Sequence, residues 1–371
     1  MVKLKKRVLV AMSGGVDSSV ASYLLKESGF EVTGVTMCFG VKEVNKKRPA
    51  CCGEQAINDA KSVCRKLGIP HYALDFSRQL EKEVINRFVS EYKRGRTPNP
   101  CVECNRSLKF GILFEKARSL GFDFLATGHY ARIAAAIPTP PAGKRSRRGI
   151  KKGLRYVLKK AKDTTKDQSY FLYPIRRNAL ESVLFPLGEL TKKEVRDIAK
   201  KICLPVAEKP QSQDICFIPG KNYHEFLFER IDKPTRGPIL DLKGKVLGEH
   251  KGVFLYTIGQ RGGLGIGYKY PLYVLLINTE KNQIVVGEKK DLKAKGLVAG
   301  EVNLLVEDMP RKISAKIRYN QKEAKCEIFP EKAKIKVVFE EPQEAVTPGQ
   351  SVVFYDGDVV LGGGVIEQAI R

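Results

Sequence analysis

Short apolar runs alternate with helical periodicity through the first 130 residues, and this alternation constrains the fold more than any other feature. Residues 7–12 form an apolar run with the spacing of a buried strand. Val16, Val20, Leu24 and Leu25 then recur at helical intervals before Gly29. Residues 31–39, rich in Val, Thr and Phe, read as a second strand. The pattern continues with a helix over 55–67, a strand over 72–75, helices over 80–93 and 108–120, and a strand over 122–127. Strands alternating with helices of this length predict parallel βαβ units, and so an α/β fold with a doubly wound parallel sheet. Such sheets bind ligands beyond the carboxyl ends of their strands. The residues just after Met12, Phe39 and Thr127 are therefore the first place to look for chemistry.

Beyond Phe124 the pattern changes. A Pro-, Gly- and Arg-rich stretch over 138–152 predicts a loop, followed by a strand over 155–159. Thr191-Lys-Lys-Glu194 is a capping box that opens a helix over 194–202, and 223–230 reads as one short helix. From about Lys295 onward, short alternating strands between Gly, Pro and Asn turns predict a small barrel, with Asp356-Gly357 marking a hairpin. Three units follow: a nucleotide-type α/β domain over 1–208, a central domain over 209–288 and a C-terminal β-barrel over 289–371. The 371-residue chain carries 66 Lys plus Arg against 41 Asp plus Glu, a net charge of +25, which favours an anionic partner such as nucleic acid. No apolar run of membrane-spanning length occurs, and the nine cysteines are too few for a disulfide scaffold, so the chain reads as cytoplasmic.

Three segments carry the chemistry. Ser13-Gly14-Gly15-Val16-Asp17-Ser18 joins the first strand to the first helix. Its small residues permit close approach of a phosphate, and the helix N-terminus supplies N–H donors and a positive dipole end. Hydroxyls of Ser13, Ser18 and Ser19 add donors, and Asp17 suits Mg²⁺ better than a bare polyphosphate. The GxxxxGK[ST] signature is absent. Thr97-Pro-Asn-Pro-Cys101-Val-Glu-Cys104-Asn105 places two thiols ahead of a helix, with Lys93, Arg94, Arg96 and Arg106 nearby in sequence to favour thiolate. Ser212-Gln-Asp-Ile-Cys216-Phe-Ile218 supplies another thiol. From the residues alone, inert buried thiols and half of a zinc site remain alternatives for these cysteines. Gly262-Gly263-Leu-Gly265-Ile-Gly267 lacks the following helix and acidic residue that a dinucleotide fingerprint needs.

SGGVDS after a first strand resembles the PP-loop of the N-type ATP pyrophosphatases. With TPNPC and CN at 97–105, ATGHYAR at 126–132, KDQSYFL at 166–172, SQDICFI at 212–218, YTIGQRGGLGIG at 256–267, IRY at 317–319 and PGQSVVFYDGDVVLGGGVI at 348–366, the chain resembles the tRNA-specific 2-thiouridylase family along nearly its whole length. The resemblance implies that ATP adenylates O2 of a wobble uridine in the anticodon stem-loop of tRNA. A persulfide then delivers sulfur to C2, and AMP and pyrophosphate are the other products. It implies ATP contacts at Ala11, Met12, Ser13, Gly14, Gly15, Val16, Asp17, Ser18, Met37 and Gly128. It implies Cys216 as persulfide carrier and Cys104 as the thiol that releases sulfur and closes a disulfide with it. tRNA contacts are implied at Asn99, Pro100, Cys101, His129, Lys166, Asp167, Gln168, Arg318, Tyr319 and Gln350, and a sulfur-donor protein or cysteine desulfurase as a further partner.

The chain departs from the family pattern at Cys101, where many members carry Asp suited to acid–base work on the base. Cys101, Cys104 and Cys216 together are also three thiolates with room for an iron–sulfur cluster, so a [4Fe-4S] centre is a second expectation. The basic insert over 144–152 is read either as a tRNA contact or as a solvated loop. The rival functions are another PP-loop adenylating enzyme and a nonenzymatic tRNA-binding protein.

Overall fold

A computed structural model describes residues 5–40, 53–136, 155–211, 215–218, 223–231 and 234–371. The first strands are β1 (Arg7–Ala11), β2 (Glu31–Cys38), β3 (His71–Asp75) and β4 (Phe124–Thr127). A hairpin of β5 (Arg132–Ala136) and β6 (Arg155–Lys159) follows, and then a short β7 (Val183–Leu184). The parallel sheet has the order β3-β2-β1-β4-β7. The order reverses between β1 and β4, and the two loops leaving their carboxyl ends part there to open a crevice. Val8 and Val10 are fully buried on one face of β1, packed with Val16 and Val20 of helix α1 (Val16–Glu27). Leu9 faces the opposite layer with Leu108 and Leu113. Alternating burial on both faces is why this strand reads as one continuous apolar run.

Helix α2 (Glu54–Leu67) lies after β2. Two longer helical stretches, α3 over 77–93 and α4 over 100–119, form the layer that carries the Cys101 segment. The sequence reading starts α4 eight residues late, at 108. It places Cys101 and Cys104 ahead of the helix, whereas Pro100 occupies the first helical turn and the Asn99 side chain caps it by accepting from Val102 N at 3.2 Å. Cys101 and Cys104 therefore sit inside the first turns of α4 rather than ahead of it.

Helices α5 (Lys192–Lys201) and α6 (Tyr223–Phe228) lead to the later sheets. The Thr191/Glu194 capping box is present. A four-stranded sheet joins β8 (Gly237–Leu240), β9 (Val246–His250), β10 (Tyr273–Asn278) and β11 (Gln283–Gly287) in the order β10-β11-β8-β9. The barrel follows as β12 (Lys293–Leu304), β13 (Lys312–Lys316), β14 (Ala324–Glu331), β15 (Lys334–Glu344), β16 (Ser351–Asp356) and β17 (Val359–Ile370). Pairing of β12 with β17 closes it, which removes its sheet edges. The β5–β6 hairpin attaches to this barrel through β17, at Val359 opposite Lys159. The first domain is thus laced to the last by backbone pairing. The basic insert over 144–152 and Ser212, Gln213 and Asp214 lie outside the described residues, as do Cys51 and Cys52.

Candidate active site

A cavity of about 300 Å³ opens at the carboxyl ends of β1 and β4. Its nucleotide-type wall consists of Ala11, Met12, Ser13, Asp17 and Ser18, with Gly128 across the switch point. Gly15 starts α1 without any side-chain cap, so the first-turn N–H groups are left for a ligand. Gly14 has φ +67°, and a Cβ there would lie 2.3 Å from the Ala56 carbonyl oxygen of α2. Its glycine is required by the turn and by that close packing. A Cβ on Gly128 would meet the Ser18 nitrogen at 2.6 Å, so the loop after β4 lies directly on the start of α1. Val35, Met37 and Phe39, at the end of β2, add an apolar wall of the kind a purine ring needs.

The loop hydroxyls are not equivalent. Ser13 N donates to Ser18 Oγ at 3.2 Å, and both residues line the cavity. Ser19 does not serve as a ligand donor. It is fully buried and its hydroxyl donates to the Gly15 carbonyl at 2.8 Å, inside the helix. Asp17 Oδ1 accepts from the Tyr130 hydroxyl at 2.8 Å and pairs with Lys192 Nζ at 2.5 Å. Lys209 Nζ donates to the Gly14 carbonyl at 3.0 Å and pairs with Asp59. Two lysines thus buttress the loop. Neither stands in the loop motif, and only folding brings them to it.

The same cavity is lined by Pro100, Cys101, Cys104 and Cys216. Cys101 is exposed, Cys104 buried and Cys216 intermediate. Cys216 is set in place by its neighbour Phe217, whose ring meets Phe88 of α3 edge-on at 5.5 Å and Phe226 of α6 at 5.4 Å. The arginines expected to bias these thiols are engaged elsewhere. Arg94 and Arg96 pair with Glu91, and Arg106 pairs with Glu301 of β12 at 2.6 Å. Lys93 is exposed. The cation that does line the cavity is Lys109, whose Nζ donates to Asn105 Oδ1 at 3.1 Å. Sequence reading misses it because α4 is started too late. Cys101, Asn105 and Lys109 are spaced by four, so a helix begun at 100 places them on one face.

The chain matches, over 6–220, the family described as tRNA methyl transferase HUP domain. Residues 224–288 match the tRNA methyl transferase PRC-barrel domain, and 294–366 the aminomethyltransferase beta-barrel domain. It is 55% identical to tRNA-specific 2-thiouridylase MnmA 1 of Syntrophus aciditrophicus, over 99% of this chain and 94% of that one. Identity is 47% to tRNA-specific 2-thiouridylase MnmA of Acetivibrio thermocellus, over 98% and 99% of the two chains. It is 48% to MnmA 1 of Caldanaerobacter subterraneus, over the full length of both. The chain belongs to the MnmA tRNA-specific 2-thiouridylase family. The α/β domain, central domain and closed barrel seen here are the fold that the sequence predicts for this family.

Against the MnmA resemblance, the expected tRNA contacts divide. His129 lines the cavity, between Phe110 and Phe185 rings at 6.2 and 6.1 Å. Burial, then the charge of Lys109, holds its pKa well below the usual histidine value. It is therefore a neutral hydrogen-bonding ring and not a cationic phosphate contact. Its Nδ1 lies 2.7 Å from Thr127 Oγ1. Gln168 also lines the cavity, and its Oε1 accepts from Tyr130 N at 2.9 Å. Lys166 reaches Gln211 at 3.3 Å on the outer surface.

Asp167 turns inward instead of toward a ligand. It is buried and accepts from Ala161 N at 2.9 Å, Ser169 N at 3.2 Å and Ser169 Oγ at 2.8 Å. Arg318 is half-buried, and its Nη2 donates to Ile258 O, Ala345 O and Thr347 Oγ1 at 3.2, 2.9 and 2.8 Å. Tyr319 packs on Phe171 at 4.5 Å. Gln350 Nε2 donates to the carbonyls of Thr97 and Pro98. Thr97 N in turn donates to Pro348 O at 2.9 Å, and the Thr97 and Thr257 hydroxyls lie 3.1 Å apart. The barrel and the central domain thus grip the segment leading into Cys101.

The iron–sulfur expectation finds no support in the described residues. Among the described residues no three His, Cys, Asp or Glu side chains are disposed to hold a metal ion. Cys101 and Cys104 differ in depth, one exposed and one buried. Among the described residues no helix is long and apolar enough to cross a membrane.

Proposed function

We propose that this chain is an ATP-dependent tRNA uridine 2-sulfurtransferase. The observation that carries the proposal is one cavity lined both by the SGGVDS loop, with its uncapped helix N-terminus, and by Cys104 and Cys216. An adenylating enzyme acting on a carboxylate would need only the first of these.

ATP enters as substrate, with its base against Met37 and its phosphates at the first turn of α1. Asp17 is the carboxylate of the loop, and Mg²⁺ bound with the phosphates would compete with the Lys192 ammonium for it. When bound, Mg²⁺ neutralises phosphate charge. The wobble uridine, turned out of the anticodon stack, lies beside Asn99, Pro100 and Cys101. Its O2 attacks the α-phosphorus, pyrophosphate leaves, and the C2–O bond now ends in a good leaving group. The terminal sulfur of a Cys216 persulfide adds to C2 and AMP departs, leaving a Cys216–S–S–C2 bond. The Cys104 thiolate attacks the Cys216 sulfur, releases 2-thiouridine and forms a Cys104–Cys216 disulfide. His129 and Lys109 stand in the cavity to donate hydrogen bonds to base or phosphate. The persulfide sulfur comes from a donor protein or cysteine desulfurase, and a cytoplasmic location follows from a tRNA substrate.

The test mixes the purified protein with unmodified tRNA, Mg-ATP and a persulfide donor, and seeks 2-thiouridine by mass spectrometry of the digested RNA. Product that requires both ATP and Cys216 supports the reading. AMP release without thiolated product, or activity that survives Cys216→Ser with the donor protein, overturns it in favour of another adenylating enzyme.

A further inference from the structure

The release step leaves the chain oxidised, with a disulfide closed between two sulfur atoms inside the cavity. Cys104 is only 7% exposed, so a dithiol protein cannot reach that bond from its side. Cys101 is exposed, lines the same cavity and lies three residues before Cys104 in the first turns of α4. Residues three apart on a helix have Cα atoms about 5 Å apart. Disulfides span roughly 4.4–6.8 Å between Cα atoms, so this pair can close with little backbone movement. An exposed cysteine followed at three residues by a buried one, both at a helix start, is a geometry that passes oxidising equivalents from a site to the surface.

We propose that Cys101 is a resolving thiol that regenerates Cys216. This role rests on the sulfurtransferase reading above. The Cys101 thiolate attacks the Cys104 sulfur of the Cys104–Cys216 disulfide. The Cys101–Cys104 bond forms, the Cys104–Cys216 bond breaks, and Cys216 leaves as a thiolate that takes up one proton or the next sulfur. No net oxidation occurs in this exchange. The Cys101–Cys104 disulfide, reachable at Cys101, is then reduced to two thiols by an external dithiol of the thioredoxin class, which becomes the disulfide. Cys216 is thereby free to be recharged while reduction proceeds at Cys101.

The test is a single turnover without reductant, on protein carrying a preformed Cys216 persulfide, with tRNA and Mg-ATP. The reaction is quenched with an alkylating agent. Disulfides are mapped by non-reducing peptide mass spectrometry, and 2-thiouridine is measured in the same sample. The expected result is Cys101–Cys104 as the main disulfide in the native protein, shifting to Cys104–Cys216 in Cys101→Ser and equally in Cys101→Asp. Cys203→Ser, which removes an exposed thiol outside the cavity, leaves the native pattern. Cys104–Cys216 as the main disulfide in the native protein, or any pairing of Cys101 with Cys216, overturns the proposal. Rescue of the native pattern or rate by Cys101→Asp also overturns it, because it assigns Cys101 to proton transfer. Absence of 2-thiouridine together with absence of any disulfide overturns the sulfurtransferase reading itself, and the relay falls with it.

Discussion

Gln350 of the barrel donates from Nε2 to the main-chain oxygen of Thr97 across 2.9 Å, four residues before Cys101. A second contact reaches Pro98 O at 3.3 Å. The side chain that the family resemblance marks as an RNA contact thus holds the segment that leads into the Cys101 helix. Gln350→Ala removes both bonds, a loss of about 1–3 kcal/mol if the carbonyls stay dry. A misplacement near 1 Å can cost roughly 100-fold in rate. The expected outcome is a fall in thiolation at saturating tRNA, with the tRNA dissociation constant little changed. A variant that only weakens tRNA binding would show Gln350 to be an RNA contact.

Asp17 carries one end of an ion pair with Lys192 and a bond from Tyr130. Asp17→Asn keeps the shape and discards the charge. AMP formation should fall by about 100-fold or more, the scale of losing one electrostatic contact to a transferring phosphoryl group. Thermal stability should fall as well, since the largely buried Lys192 ammonium loses its charged partner. AMP release at the native rate would remove Asp17 from the nucleotide site.

His129, His71, His224 and His250 all have pKa values lowered first by burial. Below about pH 6.5 the unfolded chain binds protons that the folded chain refuses, so stability falls as pH falls. Each such histidine adds at most about 1.4 kcal/mol per pH unit to that slope. Thermal melts between pH 7.5 and 5 should show a declining midpoint, and His129→Gln should flatten the decline. An unchanged slope would mean that His129 titrates in the folded protein as it does in the unfolded one.

Burial pushes the Cys64 thiol up to about 11, and burial with the Glu340 charge pushes Cys326 up to about 12. Iodoacetamide at pH 8 should therefore modify Cys101 and Cys203, which are exposed, well before Cys64 and Cys326. Labelling of Cys326 in native protein at a comparable rate would mean that the barrel opens on the time scale of the reaction.

The parallel sheet was legible because strands buried on both faces write themselves as apolar runs, and β6 over Arg155–Lys159 was read with its observed ends. The loop was legible because backbone geometry demands glycine at position 14. What escaped was long-range. Lys192 and Lys209 reach the loop from 175 and 195 residues away in sequence, and no local pattern announces such partners. Arg318 and Asp167 are expected as tRNA contacts from the resemblance, yet Asp167 accepts from Ala161 N and Arg318 Nη2 donates to Ala345 O within the protein. Local composition cannot distinguish a charge that meets solvent from one that meets carbonyls or amides brought in by tertiary packing. The start of α4 escaped for a different reason, since proline before a helix and proline at its first turn look alike until the cap is seen.

The pairing of Lys159 with Val359 sets an order on synthesis. Two hundred residues separate the hairpin from the strand that covers its edge. At about 5–20 residues per second, a ribosome leaves that edge, and the Thr97 segment that Gln350 later holds, waiting for roughly 10–50 s. A nascent chain therefore has its nucleotide loop before it has its thiols in register.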